Sequence, residues 1–188
     1  MVETFSIDTP RLRLRPLSLE DVDQLLVYHS DPRVVRYIPW PERARAQVIE
    51  AVEDYPAPPF VLNEVKDSVV LGWVLKDTGA IVGQSNLSLL SKVNQTIDVG
   101  WVTHPKYWRQ GLAFEATEAF IGWAFENFDV HRVVANIDVR NPESARLAEK
   151  LGMRLEAHQL QSVFTKGEWC DMWQYACLRS ELPRRLGG

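Results

Sequence analysis

Arginine and leucine alternate from Arg11 to Arg15, which places Leu12 and Leu14 on one face before Pro16 stops the run, and this period of two predicts a strand. Ser18 then supplies an N-cap with Asp21 three positions on, and Leu19, Val22, Leu25 and Leu26 recur at helical spacing, so a helix is predicted over about 18–29. Asp31-Pro32 breaks it, and the aromatic and basic segment that follows reads as a loop carrying Arg33, Arg36, Tyr37 and Trp40. A second helix is predicted over about 41–54, opening on Pro41 and ending ahead of Tyr55-Pro56-Ala57-Pro58-Pro59.

From Val69 the period changes. Val69 to Lys76, Ala80 to Leu90 and Thr96 to Thr103 are rich in β-branched and aromatic residues, and Asp77-Thr78-Gly79 and Ser91 to Gln95 read as the turns of an antiparallel meander. Gln110 to Phe128 is apolar on most of its circumference, with Glu115, Glu118, Gly122 and Glu126 as a narrow polar stripe, which predicts a helix packed on a sheet. Val130 to Val139 reads as a strand. Asn141 to Leu151 reads as a short helix with Asn at its cap, Pro142 at its first position and Gly152 beyond its end. Two long strands, about Met153–Phe164 and Glu168–Arg179, meet at Lys166-Gly167. The order β-α-α-β-β-β-α-β-α-β-β describes a mixed α/β sheet with strand–helix–strand crossovers only in its middle.

Composition narrows the function classes. A chain of 188 residues fits one domain, and 46% hydrophobic residues with seven Trp and seven Phe supply a substantial core. The formal charge of −4 argues against a nucleic-acid backbone as partner, which would call for a clustered basic face. Met1 to Pro10 has neither the basic start nor the apolar stretch of a signal peptide, and no run approaches the ~20 apolar residues of a membrane span. Cys170 and Cys177 fall on one predicted strand, about 23 Å apart at ~3.3 Å per residue, too far for a disulfide. Free thiols point to a reducing cytoplasm. The four histidines, His29, His104, His131 and His158, lack ligand spacing, so no metal is expected.

Chemistry concentrates between Val99 and Ala113. A strand ends, a loop follows, and a helix begins near Gly111 with no Ser, Thr, Asp or Asn in the five residues before it. Uncapped N–H groups and the helix dipole favour an anion, and a glycine lets that anion approach closely. Phosphate is the natural candidate, with Lys106 and Arg109 as added cations. A glycine that merely punctuates a strand-to-helix joint is the competing reading.

The stretch Trp108-Arg109-Gln110-Gly111-Leu112-Ala113-Phe114-Glu115-Ala116 resembles the pyrophosphate-binding segment of the Gcn5-related N-acetyltransferases (GNAT), in the form Y-W-G-x-G-x-A-x-E-A of the ribosomal-protein N-terminal (RimJ/RimL-like) acetyltransferase branch. Arg109 replaces that branch's usual glycine. Thr9 to Pro16, Ile81-Val82-Gly83, Asn141 to Ser144 and Glu149 to Met153 resemble the family's first strand, third strand and short helix, so the likeness spans roughly 9–180. The resemblance implies a mostly antiparallel central sheet with a splayed parallel pair and flanking helices.

It also implies acetyl-CoA as co-substrate, with coenzyme A held mainly by backbone along Val99, Trp101 and Val102, and at Lys106, Arg109, Gln110, Gly111, Leu112, Ala113 and Phe114. Asn141 corresponds to an asparagine near the pantetheine, and serves equally as a helix cap. Ser144 corresponds to the residue beside the coenzyme sulfur, whereas the tyrosine that many members use as the acid is replaced by Ala148. Asp98 stands where the branch often has Glu and is the candidate base for deprotonating the acceptor amine, with Ile97, Val99 and Trp101 on the strand's other face implying partial burial that would raise its pKa; a half-exposed strand aspartate with no role is the competing reading. Arg33, Arg36, Tyr37 and Trp40 match the acceptor loop, the arginines suiting a carboxylate on the acceptor or on an acyl group such as succinyl.

Neither cysteine has a nearby histidine and no G-x-S-x-G occurs, so direct transfer in a ternary complex is expected. The acceptor is a small-molecule or peptide amine. A non-catalytic module binding acyl-CoA or a protein through the same fold is the rival. Trp169, Asp171, Trp173 and Tyr175 share one strand face, which reads as an acceptor wall, a homodimer contact or a second core.

Overall fold

The computed structural model describes residues 5–181, so the terminal residues on which part of the signal-peptide reading rests lie outside it. In chain order the elements are β1 (Ile7–Asp8), β2 (Leu12–Arg15), α1 (Val22–His29), α2 (Pro32–Val35), α3 (Arg45–Glu53), β3 (Ser68–Leu75), β4 (Ile81–Ser91), β5 (Thr96–Thr103), α4 (Leu112–Asn127), β6 (Arg132–Asp138), α5 (Pro142–Lys150), β7 (Arg154–Thr165) and β8 (Glu168–Leu178). The eight strands form one sheet in the order β1-β2-β3-β4-β5-β6-β8-β7. Every pairing is antiparallel except β5 with β6.

The sheet's two faces collect different helices. Val69, Leu71, Leu87, Ile97, Val99, Val133, Ala135 and Tyr175 turn toward α4 and α5, where Phe120, Ile121 and Ala148 are fully buried. Burying a side chain of Phe or Ile size stabilises the fold by roughly 1.5–3 kcal/mol, and this face holds most of them. Val70, Ile81 and the half-buried Val102 turn the other way, onto Leu25 and Tyr28 of α1 and Val48 of α3. Period two assigns each strand residue to a face. Asp98, Gly100 and Val102, with Asn86 and Gln84 opposite them on β4, lie on the α1 side, and Val99 and Trp101 on the α4 side.

Most predicted elements form within two or three residues of their expected ends. Two do not. The helix expected from Pro41 begins at Arg45, because residue 43 is tied back to α1 by Arg43 N donating to His29 O at 3.1 Å. The Gln47 carboxamide then accepts from Ala44 N at 2.8 Å and fixes the later start. The expected loop after Pro32 contains α2, in which Asp31 caps the Arg33 N–H at 2.9 Å and Pro32 takes the first position. The pair Asp31-Pro32 ends one helix and begins another.

The last strand settles its open reading. Tyr175 is buried in the α4–α5 core, its hydroxyl donating to Glu149, and the half-buried Trp173 packs against that core, so this part of the face serves as core. Trp169 remains exposed at the β7–β8 tip, against Phe164. Cys170 and Cys177 are buried free thiols on β8. No helix among the described residues is long and apolar enough to cross a membrane.

Candidate active site

Strand β5 is paired on both sides only briefly. Against β4 its ladder continues from Thr96 to Thr103, but against β6 it stops after Asp98 faces Val134. Beyond that point β5 and β6 diverge, so the β6-facing N–H and C=O groups of residues 99–103 have no sheet partner across the gap. Such an edge takes an extended ligand as a further strand would be taken.

The same strand runs into the anion-binding turn. His104 Nδ1 accepts from Lys106 N at 3.1 Å and starts one turn of 3-10 helix at Pro105–Tyr107. Arg109 and Gly111 both adopt positive φ, 60° and 77°, and α4 follows with no side-chain cap on its first N–H groups. A residue with Cβ at Gly111 would be strained there. Arg11, just ahead of β2, braces the turn. Its guanidinium donates to Gln110 O at 3.0 Å and pairs with Glu115 at 2.6 Å, and Thr9 Oγ1 donates to the same carboxylate at 2.7 Å. Glu115 thus anchors the turn to β2, and bracing by Arg11 was not legible in its place within an alternating strand.

Of the other expected coenzyme contacts, Lys106, Arg109 and Gln110 are exposed, with Arg109 3.4 Å from Glu143 and Gln110 Nε2 donating to Lys106 O at 3.0 Å. Leu112 is buried, Ala113 and Phe114 are half-buried, and Lys150 lies over the Phe114 ring. Asn141 caps α5, its Oδ1 accepting from Ser144 N at 3.2 Å. Ser144 Oγ in turn accepts from the Trp101 indole at 3.3 Å, which ties α5 to β5 across the divergence. Ala148, at the position of the missing tyrosine, is wholly buried core.

Asp98 sits at the apex where β5 and β6 part, on the face opposite Ser144. Burial raises its carboxyl to about 6, opposed by one hydrogen bond, from Asn136 Nδ2 at 2.9 Å. Asn136 is oriented from the next strand by Gln174 Nε2, which donates to its Oδ1 at 3.3 Å. Asn136, Gln174 and Asn86 carry no local signal of a site in the chain. Only strand register brings them to Asp98's face.

Over this face lies the segment after α1. Tyr37 has the Arg36 and Arg140 guanidiniums over its ring at 5.1 and 5.9 Å, and Arg140 is fixed by Asp138 and Glu168 at 2.6 and 2.8 Å. Trp40 stacks on His29 and carries Arg43 over its ring. His29 is fully buried, and burial lowers its pKa to about 4. Its Nε2 donates to Gln84 Oε1 at 2.8 Å, so Nδ1 is free to accept from Arg43 at 3.4 Å. Arg33 does not stand free over the acceptor face. Both its Nε and Nη2 bond Asp31, and its guanidinium lies 6.0 Å from the Trp108 ring on the coenzyme side.

The chain thus offers a half-buried carboxylate, an open strand edge and an uncapped helix start along β5 and the turn that follows it. Residues 11–154 match the family described as acetyltransferase (GNAT) domain. The chain is 29% identical over 177 residues to the uncharacterised N-acetyltransferase YnaD of Bacillus subtilis (strain 168), a span of 93% of this chain and 98% of that protein. A solved acetyltransferase (GNAT family) from Bacillus anthracis superposes with a TM-score of 0.82 at 27% identity, covering 94% of this chain and all of that one (100%). RimL, a ribosomal L7/L12 alpha-N-protein acetyltransferase solved with coenzyme A, shares the fold at a TM-score of 0.77 and 16% identity, over 93% and 98% of the two chains. With the family match running from β2 through α5, the chain belongs to the GNAT family and is an N-acetyltransferase.

Proposed function

We propose that this chain transfers an acetyl group from acetyl-CoA to a primary amine by direct attack in a ternary complex, as a single RimJ/RimL-like domain working in the cytoplasm. The observation that carries the reading is the divergence of β5 from β6 immediately beyond Asp98, in line with the uncapped start of α4. In this reading the pyrophosphate lies on the backbone of residues 109–114, and the pantetheine lies along Val99 to Val102. The amine nitrogen, relieved of a proton by Asp98 directly or through water, bonds to the thioester carbon. The attacking nitrogen sheds its second proton to water, the carbon–sulfur bond breaks, and the thiolate takes a proton from water, directly or relayed through the Ser144 hydroxyl, which regains one from solvent. Asp98 and Ser144 approach from opposite faces of β5, as an amine and a thioester entering from opposite sides require. Arg36, Tyr37 and Trp40 border the acceptor, which is a peptide N-terminus or a small-molecule amine; Arg33 is tied up by Asp31 and contributes less.

Succinyl-CoA as donor is the secondary reading, favoured by Arg36, whose guanidinium stacks on Tyr37 and has no carboxylate partner among the described residues. The decisive assay follows CoA release from acetyl-CoA and from succinyl-CoA across a panel of primary amines. Amine-dependent release from acetyl-CoA is expected. Tight acetyl-CoA binding without release in the presence of any amine would instead identify a binding module.

We also propose a homodimer, built on the β7–β8 end of the sheet. There Leu160, Phe164 and Trp169 are exposed to 71%, 61% and 60%, and β7 is the terminal strand. Sedimentation at micromolar concentration should give twice the 21.6 kDa chain mass; a single species at chain mass removes the dimer.

A further inference from the structure

We infer that Asn86 of β4 is a second binding residue for the acceptor nitrogen, forming with Asp98 a cup floored by Gly100 that takes primary amines. The inference rests on the reading of Asp98 as the group facing the amine. Asn86 faces Gly100 in the β4–β5 ladder, and Asp98 lies two residues further along on the same side of the sheet. Diagonal neighbours of that kind stand ~7–8 Å apart, close enough for both side chains to reach one nitrogen.

Two features make Asn86 more than a neighbour. A Cβ at Gly100 would lie 2.4 Å from Asn86 Oδ1, so the amide oxygen occupies the space that a side chain at 100 would fill. Its carboxamide also makes no hydrogen bond with any described residue and is not sealed from solvent, so it is free to take a ligand. Asp98 is used on one side only. Its Oδ1 accepts from Asn136, held in turn by Gln174, and its Oδ2 makes no hydrogen bond with any described residue. No charged group contributes to Asp98 from β4, β6 or α1; burial and Asn136 alone act on it.

Two acceptor oxygens without a described partner therefore lie on one face of the β4–β5 pair, where the amine enters in this reading. A neutral primary amine has two N–H groups, one for each oxygen. An N-methyl amine has one, and must leave Asn86 or Asp98 unmatched. The cup thus selects primary over secondary amines, and Gly100 keeps it open.

The test uses the full chain, acetyl-CoA and whichever primary amine of a panel of spermidine, lysine, benzylamine and a short free-N-terminal peptide gives the highest kcat/KM, beside its N-methyl derivative. Wild type should favour the primary amine by about tenfold, the fold-change one hydrogen bond supports. Asn86→Ala should raise the amine KM about tenfold, change kcat less, and bring the preference within about twofold, with acetyl-CoA affinity unchanged. Gly100→Ala should reproduce this by pushing the amide aside, and the double variant should be no worse than either single one. Should Asn86→Ala lose acetyl-CoA binding, the Gly100→Ala arm decides by the same criteria. Unchanged amine KM and preference in an active variant overturns the cup and leaves acyl transfer standing. Wild type inactive on every amine, or Asp98→Asn fully active, overturns acyl transfer at this site and the cup with it.

Discussion

In the proposed reaction Asp98 must be two things at once, a base strong enough to take a proton from an amine and a carboxylate that the fold tolerates half-buried. The same burial answers the first demand and opposes the second. Its carboxyl is held at about 6 in the folded chain against 3.8 for an unperturbed aspartate, so the folded state holds the proton more tightly. A raised acid pKa lends stability below about pH 4 and loses it as pH rises through about 6. Replacing the group with Asn should therefore stabilise the fold by about 2 kcal/mol at pH 8, after allowing for its partial exposure, and by little at pH 4. Activity should move the other way. Asp98→Asn should lower kcat/KM by about 10²–10⁴-fold and flatten the rising limb of the pH profile near 6, whereas Ser144→Ala should lower it by a factor nearly constant with pH. Losses under about threefold would show the roles misassigned. A variant that is both less active and less stable at pH 8 would mean that Asp98 is a structural strand residue.

At the scale of elements, the start of α4 is held by backbone conformation rather than by a capping side chain, so its weakness is conformational. Gly111→Val places a β-branched residue at φ 77°, strained by about 1–2 kcal/mol, and adds bulk where the first N–H groups emerge. Acetyl-CoA affinity in a calorimetric titration should fall at least about tenfold while the circular dichroism spectrum is kept; undiminished affinity would put the pyrophosphate elsewhere. This turn was legible in the sequence because a missing cap is a local fact, read within five residues. Strands β2 to β8 and α4 were legible because their periods are uninterrupted, whereas the two-residue β1 is too short to show a period. The α2 helix was hidden by Asp31-Pro32, which spells a helix end and a helix start with the same two residues. Asn86 and Asn136 were hidden for another reason. Their positions beside Asp98 depend on the register between strands, which residue types at distant positions do not encode.

For the molecule as a whole, the sheet is a partition. The α1–α3 face carries the segment from Pro32 to Arg43, pinned by the buried network of Tyr28, His29, Gln84 and Tyr55, and presents Asp98. The α4–α5 face carries the braced turn at Gly111 and presents Ser144. Beyond Asp98 the partition opens where β5 leaves β6, and in the proposed reaction the two substrates meet there without a covalent stop on the enzyme. Neither buried thiol provides such a stop: Cys177 is pushed up to about 11 by burial, and burial also raises Cys170. The most direct measurement is the initial rate of CoA release with acetyl-CoA and the preferred amine varied together. Reciprocal plots that intersect are predicted, because both substrates occupy the crevice before either product leaves; parallel lines would signal an acetyl-enzyme and contradict direct transfer across the β5–β6 opening.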